Sequence, residues 1–149
     1  MNSQNLKISF LEIIQTLTQK PIAALSDSDE FVTFLQSSIL PRAIENTTSN
    51  FPKIQQPSLN ILQNLIRNFR KHFRDEIPLF VEEVVLKLLN SVNNKSDTKM
   101  YLIRFLAGMI GNTRVLLEFF LNFDCNFSYS NVVEKIISTL CRLGVKQLE

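Results

Sequence analysis

"PSLNILQNLIRNFRKHF", residues 57–73, decides the fold class. Leu59, Leu62, Leu65, Ile66, Phe69 and Phe73 recur every three or four positions, the period of one face of an α-helix. Arg67, Arg70, Lys71 and Arg74 recur at i, i+3, i+4 and i+7, which predicts a basic edge on a second face of the same helix. Pro57 suits the first helical turn, where a missing N–H costs nothing. Alternation of period two, the mark of a half-buried strand, is nearly absent from the chain. The expected class is all-α.

The same period extends in both directions. Upstream, Leu6, Phe10, Ile13, Ile14 and Leu17 predict a helix face that ends near Pro21. Asp27, with Glu30 three residues later, resembles a capping box opening a second helix whose face is Phe31, Phe34, Leu35 and Ile39. Pro41 is expected to kink or end it, with "RAIENTT" as a continuation. Downstream, a helix opens at "RDEIP" and becomes apolar nearly all round in "LFVEEVVLKLL", the pattern of packing on more than one side. "NSVNNKSD" reads as a turn.

A fifth helix presents Leu102, Phe105, Leu106, Met109 and Ile110, with Gly111-Asn112 as its stop. A sixth presents Leu116, Phe119, Phe120 and Phe123. The seventh, with Ser130 as its expected cap, presents Val133, Ile136, Ile137, Leu140 and Cys141 before Gly144 closes it. About seven helices paired by short turns, with a hairpin spacing of about 40 residues, predict an armadillo or HEAT-like α-solenoid segment forming a single domain.

Composition limits the function classes. With 149 residues, 45% hydrophobic and 20% charged, the chain is expected to be an ordered domain and not a disordered tail. Sixteen basic and 14 acidic residues give a net charge of only +2, so a nucleic-acid partner is not expected. The first residues lack a long apolar h-region and cleavage site, and the apolar segments fall short of the ~20 residues that span a bilayer. Two isolated cysteines suit a reducing compartment, so a cytoplasmic protein is expected. No phosphate-cradling or metal-ligand spacing is present, and no cofactor or metal is expected.

One stretch departs from the helical pattern. In "LNFDCNFSYSNVVEK", residues 121–135, Asn122, Asp124, Cys125 and Asn126 crowd between aromatic residues. Cys125 as a nucleophile would need a base, and the single histidine, His72, belongs to another helix without a Cys-His signature. Its bland counterpart is a semi-buried thiol at a helix junction. The polar residues read either as a capped interhelical turn or as a recognition surface anchored by Phe127 or Tyr129. The basic edge Arg67, Arg70, Lys71 and Arg74 likewise reads as a solvated face, or as a contact with an acidic partner or an anionic membrane surface.

"NFDCN", residues 122–126, followed by "NVVEKI" from Asn131, resembles the conserved box of the large Golgi and endosomal Arf guanine-nucleotide exchange factors, the brefeldin-A-inhibited class. That box belongs to the region of homology upstream of their SEC-seven catalytic domain. The likeness covers most of the chain, from about Ser9 to Leu143, and departs at Asn126, Val133 and the Phe127–Ser130 spacer.

The resemblance implies a non-catalytic regulatory and scaffolding module in vesicle-mediated transport, with no exchange domain in this chain. It implies a protein-binding box of Asn122, Phe123, Asp124, Cys125, Asn126, Asn131 and Glu134. The implied partners are the N-terminal dimerisation region of an Arf exchange factor and small GTPases, with peripheral contact on Golgi or endosomal membranes. On that footing Asp124→Ala is expected to weaken binding to the dimerisation region by more than about 1 kcal/mol. A freestanding helical adaptor binding small GTPases or trafficking components is the alternative, and an enzyme using Cys125 a third.

Overall fold

The computed structural model describes residues 3–92 and 95–145, and among these every regular element is helical. Eight helices follow in chain order: α1 (Ser3–Gln19), α2 (Ala23–Ser26), α3 (29–47), α4 (Pro52–Phe69), α5 (76–90), α6 (Ser96–Ile110), α7 (113–124) and α8 (Val132–Val145). The all-α expectation holds, with the single turn α2 added. Contacts divide the chain into two compact units, Met1–Ile77 and Pro78–Glu149.

In the first unit α4 is the central element, packed by α1 and by the second half of α3. Of its predicted stripe, Leu59, Leu62, Leu65, Ile66 and Phe69 are all buried, and Phe73 is buried beyond the helix end; Ile61, outside that stripe, is buried as well. Each such side chain removed from water contributes about 1.5–3 kcal/mol before the entropy of ordering is counted. The polar edge of α4 is also occupied. The Asn64 amide donates to Gln15 O at 3.3 Å and Thr18 Oγ1 at 3.2 Å, and the Asn68 amide donates to Thr18 O at 2.8 Å. The Asn68 bond serves a carbonyl in the last turn of α1, which a helix end leaves without an intrahelical donor.

Several local expectations are corrected in this unit. The helix of the opening stretch starts at Pro52 with Phe51 in extended geometry before it, so Pro57 lies inside the helix. It ends at Phe69, so only Arg67 of the basic edge is helical. Arg70 occupies the C-cap and donates to Arg67 O at 3.1 Å, and Lys71 and Arg74 lie in the following turns. No helical face aligns the four. Ser28, not Asp27, caps α3, its Oγ accepting the Phe31 N–H at 3.3 Å. Pro41 does not end α3: the five residues Leu35–Ile39 form a π turn, and the helix continues through Leu40–Thr47. The widened turn accommodates a residue that has no N–H to return to the preceding turn.

The face of α1 is the largest correction. Leu11, Ile14 and Thr18 are buried, while Leu6, Phe10, Ile13 and Leu17 are 60, 45, 58 and 40% exposed. Two stripes with the same spacing run one residue apart along this helix. Periodicity does not choose between them when the decisive inward residue is a threonine. Thr18 tolerates full burial because its hydroxyl donates to Ile14 O at 2.8 Å.

The second unit packs α5 to α8. The near-continuous apolar run of α5 is explained by a π turn at Val81–Leu86, which changes the angular step so that Val81, Val84, Val85 and Leu86 are all buried. Phe80 meets Phe105 of α6 edge to face, with centroids 5.9 Å apart. Leu102, Phe105, Leu106 and Met109 are buried as expected. Gly111 caps α6 without left-handed geometry, while Asn112 caps the next helix, its Oδ1 accepting from Arg114 and Val115. Phe120, Ile137 and Cys141 are exposed, not buried, and Gly144 falls within α8. Of the expected 90–97 turn, Asn93 and Asn94 lie outside the described residues.

Candidate functional site

The box occupies the junction of α7 and α8. The first part of α7, Thr113–Phe119, is α-helical, and Phe120–Asp124 forms a π turn closed by the Cys125 N–H on Phe120 O at 2.9 Å. Phe119 and Phe123 therefore both point inward, 5.4 Å apart, and Phe123 is only 2% exposed. Tyr129 returns from the loop to place its ring edge to face on Phe123 at 5.5 Å. An aromatic anchor thus closes the helix and pins the loop that follows it.

Asp124, the next residue, is half-buried and turned toward the start of α8. Its Oδ1 accepts the Val133 N–H at 3.0 Å, and its Oδ2 accepts the Glu134 N–H at 2.9 Å. Two of the amides that a helix N-terminus leaves without partners are satisfied by one carboxylate, where the helix dipole also favours negative charge. Ser130, the expected cap, has a different role: its hydroxyl donates to Glu82 of α5. The physical reason is position: α8 begins at Val132, so Ser130 precedes the flanking residue Asn131, while the Asp124 carboxylate meets the Val133 and Glu134 amides.

Asn131 stands at the N-terminal flank of α8, where its carbonyl accepts the Lys135 N–H at 3.1 Å. With Asp124 capping the helix, the Asn131 side-chain amide donates instead to Glu134 Oε2 at 2.7 Å. Asn126 holds the loop, accepting the Ser128 N–H on Oδ1 and the Tyr129 N–H on its carbonyl, both at 3.0 Å. Asn122 is half-buried, Cys125 is exposed, and Phe127 is fully exposed at the loop tip. The structure thus brings Phe123, Asp124, Asn126, Asn131 and Glu134 into one connected junction and leaves Cys125 on its outer surface.

Glu82 is the residue that sequence reasoning missed. It accepts from Ser130 and from Lys135 Nζ at 2.8 Å, tying α5 to the α8 end of the junction. Burial alone would raise its carboxyl, but the hydrogen bonds from Lys135 and Ser130 and the Lys135 charge outweigh that and hold it below the ordinary range. The available signal was a pair of glutamates interrupting an apolar run, which by itself marks only a helix with a wet edge.

Among the described residues no cluster of three His, Cys, Asp or Glu could hold a metal ion, and no helix is long and apolar enough to cross a membrane. The functional groups of the junction are directed at backbone amides and at one another.

The sequence profile of the Mon2/Sec7/BIG1-like HUS domain matches residues 1–132. The chain is 30% identical over 137 residues to brefeldin A-inhibited guanine nucleotide-exchange protein 3 of Arabidopsis thaliana, covering 91% of this chain and 8% of that protein. It is 22% identical over 138 residues to brefeldin A-inhibited guanine nucleotide-exchange protein 1 of Rattus norvegicus, covering 93% and 8%. It is 32% identical over 104 residues to the ADP-ribosylation factor guanine nucleotide-exchange factor SEC7 of Saccharomyces cerevisiae, covering 70% and 5%. The chain spans less than a tenth of the length of these relatives. No solved structure matches it significantly. With a profile covering most of its length, this chain belongs to the Mon2/Sec7/BIG1-like HUS domain family.

Proposed function

We propose that this chain is a non-catalytic regulatory and scaffolding module of an Arf guanine-nucleotide exchange factor, acting by protein contacts in Golgi and endosomal transport. Exchange, the activity named in the relatives, is assigned to the rest of their length and not to this stretch. On this reading the domain works in the cytoplasm, peripheral to Golgi or endosomal membranes, as part of a larger assembly.

The exposed seam of α1 carries the reading. Leu6, Phe10, Ile13 and Leu17 follow the four-three-four spacing with which one helix meets another, and α1 already buries its adjacent stripe against α4. A helix with one stripe packed and a second of that spacing in water is built to receive another helix, and the N-terminal dimerisation region is the proposed donor.

The test is calorimetry between this chain and a purified N-terminal dimerisation region of an Arf exchange factor. Ile13→Glu is expected to weaken binding at least about tenfold, as removal of a central apolar contact does. No binding by the unmodified chain, or equal binding by the variant, overturns the proposal.

A further inference from the structure

The exposed stripe of α1 is symmetric along its own length. Leu6 and Leu17, with Phe10 and Ile13 between them, lie at equal distances from a point between Leu11 and Glu12. If a second copy of the helix is laid antiparallel across the first, on a two-fold axis at that point, Leu6 comes level with Leu17 of the second copy and Phe10 with its Ile13. Every apolar residue of the stripe then faces an apolar residue.

Any four-three-four stripe has this symmetry, and the residues around it decide whether it can be used. Between Ser3 and Lys20 the charged side chains are Lys7, Glu12 and Lys20, all exposed. In the antiparallel pair they come level with Thr16, Leu11 and Ser3 of the second copy, so no like charges meet. A parallel pair in register would set Lys7 against Lys7 and Lys20 against Lys20, and would crowd two Phe10 rings at one level. Thr16, at the edge of the stripe, already donates its hydroxyl to Glu12 O at 2.8 Å. A helix laid beside it therefore leaves no donor without an acceptor there. The four apolar side chains keep on the order of 400 Å² per copy in water. Two such stripes fall short of the ~1,200 Å² at which stable complexes begin, so their pairing is reversible and concentration-dependent.

We infer that the α1 stripe, when no partner fills it, pairs antiparallel with the α1 stripe of a second copy of this chain, so that self-association and partner binding exclude each other. The inference rests on the reading of α1 as the partner's docking stripe and adds a control over it. A partner competes with a copy of the chain, and its apparent affinity falls as the chain concentration rises.

The test is analytical ultracentrifugation of the 149-residue chain between about 5 and about 500 µM, where a weak interface is expected to pass from monomer to dimer. Ile13→Glu is expected to stay monomeric with unchanged helical circular dichroism. A chain that stays monomeric throughout, or an Ile13→Glu variant that associates equally, overturns the inference. Orientation is read by mixing Leu6→Cys and Leu17→Cys chains, each also carrying Cys125→Ser and Cys141→Ser, under mild oxidation. The mixed disulfide is expected to form at least tenfold faster than either homodisulfide, whose positions lie about 16 Å apart along the pair. A Leu6→Cys homodisulfide that forms as fast overturns the antiparallel pairing. The cross-linked dimer is expected to bind the purified N-terminal dimerisation region of an Arf exchange factor at least tenfold more weakly than the reduced chains, and equal binding overturns the exclusion. Binding of that region to a chain that never self-associates overturns this inference and leaves the docking reading intact. Self-association with no binding of that region overturns the docking reading, and with it the exclusion, and leaves the pairing.

Discussion

In α1, four large apolar side chains stand in solvent while a threonine is fully buried; at the α7–α8 junction, polar side chains are bonded inward while a phenylalanine projects fully into water. Both regions invert the rule that apolar residues lie inside and polar ones outside, and the inversions have different causes. The α1 stripe is exposed because α4 covers the stripe beside it. The junction's polar groups are engaged because two helix ends meet there, and helix ends carry amides that need acceptors. Exposure in the first region leaves a helix-spaced apolar stripe in water, the surface proposed above for a partner. Satisfaction in the second ties two helix ends together.

The sharpest way to break this contrast is through the joint's apolar anchor. Phe123→Ala is expected to destabilise the second unit by about 3–5 kcal/mol, the range for a fully buried phenylalanine, measured by urea denaturation followed by circular dichroism. Loss under 1 kcal/mol would mean that the joint is held by its hydrogen bonds alone.

Asp124→Ala comes next. Removing a carboxylate that serves two amides is expected to cost about 1–2 kcal/mol, with Asp124→Asn losing less because one acceptor oxygen remains. Hydrogen exchange at the Val133 and Glu134 amides is the direct readout, and unchanged protection in the alanine variant would dismiss the capping role. Because the carboxylate faces α8, a fall in partner affinity for this variant should track the fall in stability.

A smaller effect follows from Glu82. Its carboxyl is held below the ordinary value of about 4.3, so its interactions stabilise the fold fully above that pH. As pH falls through and below that value the unfolded chain takes up the proton first, and the stabilisation is lost. Glu82→Gln is expected to flatten the acid limb of stability between about pH 5 and 3; an identical limb in both proteins would show that Glu82 is not a contributor.

The smallest effect is expected at the exposed positions. Ile13→Gln on α1 and Cys125→Ser on the loop should each change the stability of the chain by less than about 0.5 kcal/mol in a thermal melt. A loss above 1 kcal/mol for Ile13→Gln would mean that the seam is covered within the chain itself.

The sequence made the all-α class legible because the stripes of α4 and α6 are strong and single. It placed helix ends less well where more than one capping residue was in range. Asp27 and Ser28 are neighbours, and only the backbone geometry selects Ser28. The true cap of α8 was written in the sequence as Asp124, inside the recognised box, but its partner amides lie beyond a loop whose path no local pattern specifies. The face of α1 was ambiguous for a related reason: a periodic stripe says that a side is apolar, not which neighbour has come to cover it. Glu82 and Lys135 were out of reach because their pairing depends on packing between helices distant in sequence.

The π turn at the end of α7 has a consequence for how the joint could be altered. Such a turn is a helix carrying one surplus residue. The wide turn at Phe120–Asp124 takes up that residue locally, so the turns before it keep their faces while Asp124 still reaches the first amides of α8. The surplus residue acts as a spacer, setting how far past the Phe123 anchor the chain runs before its carboxylate meets the next helix.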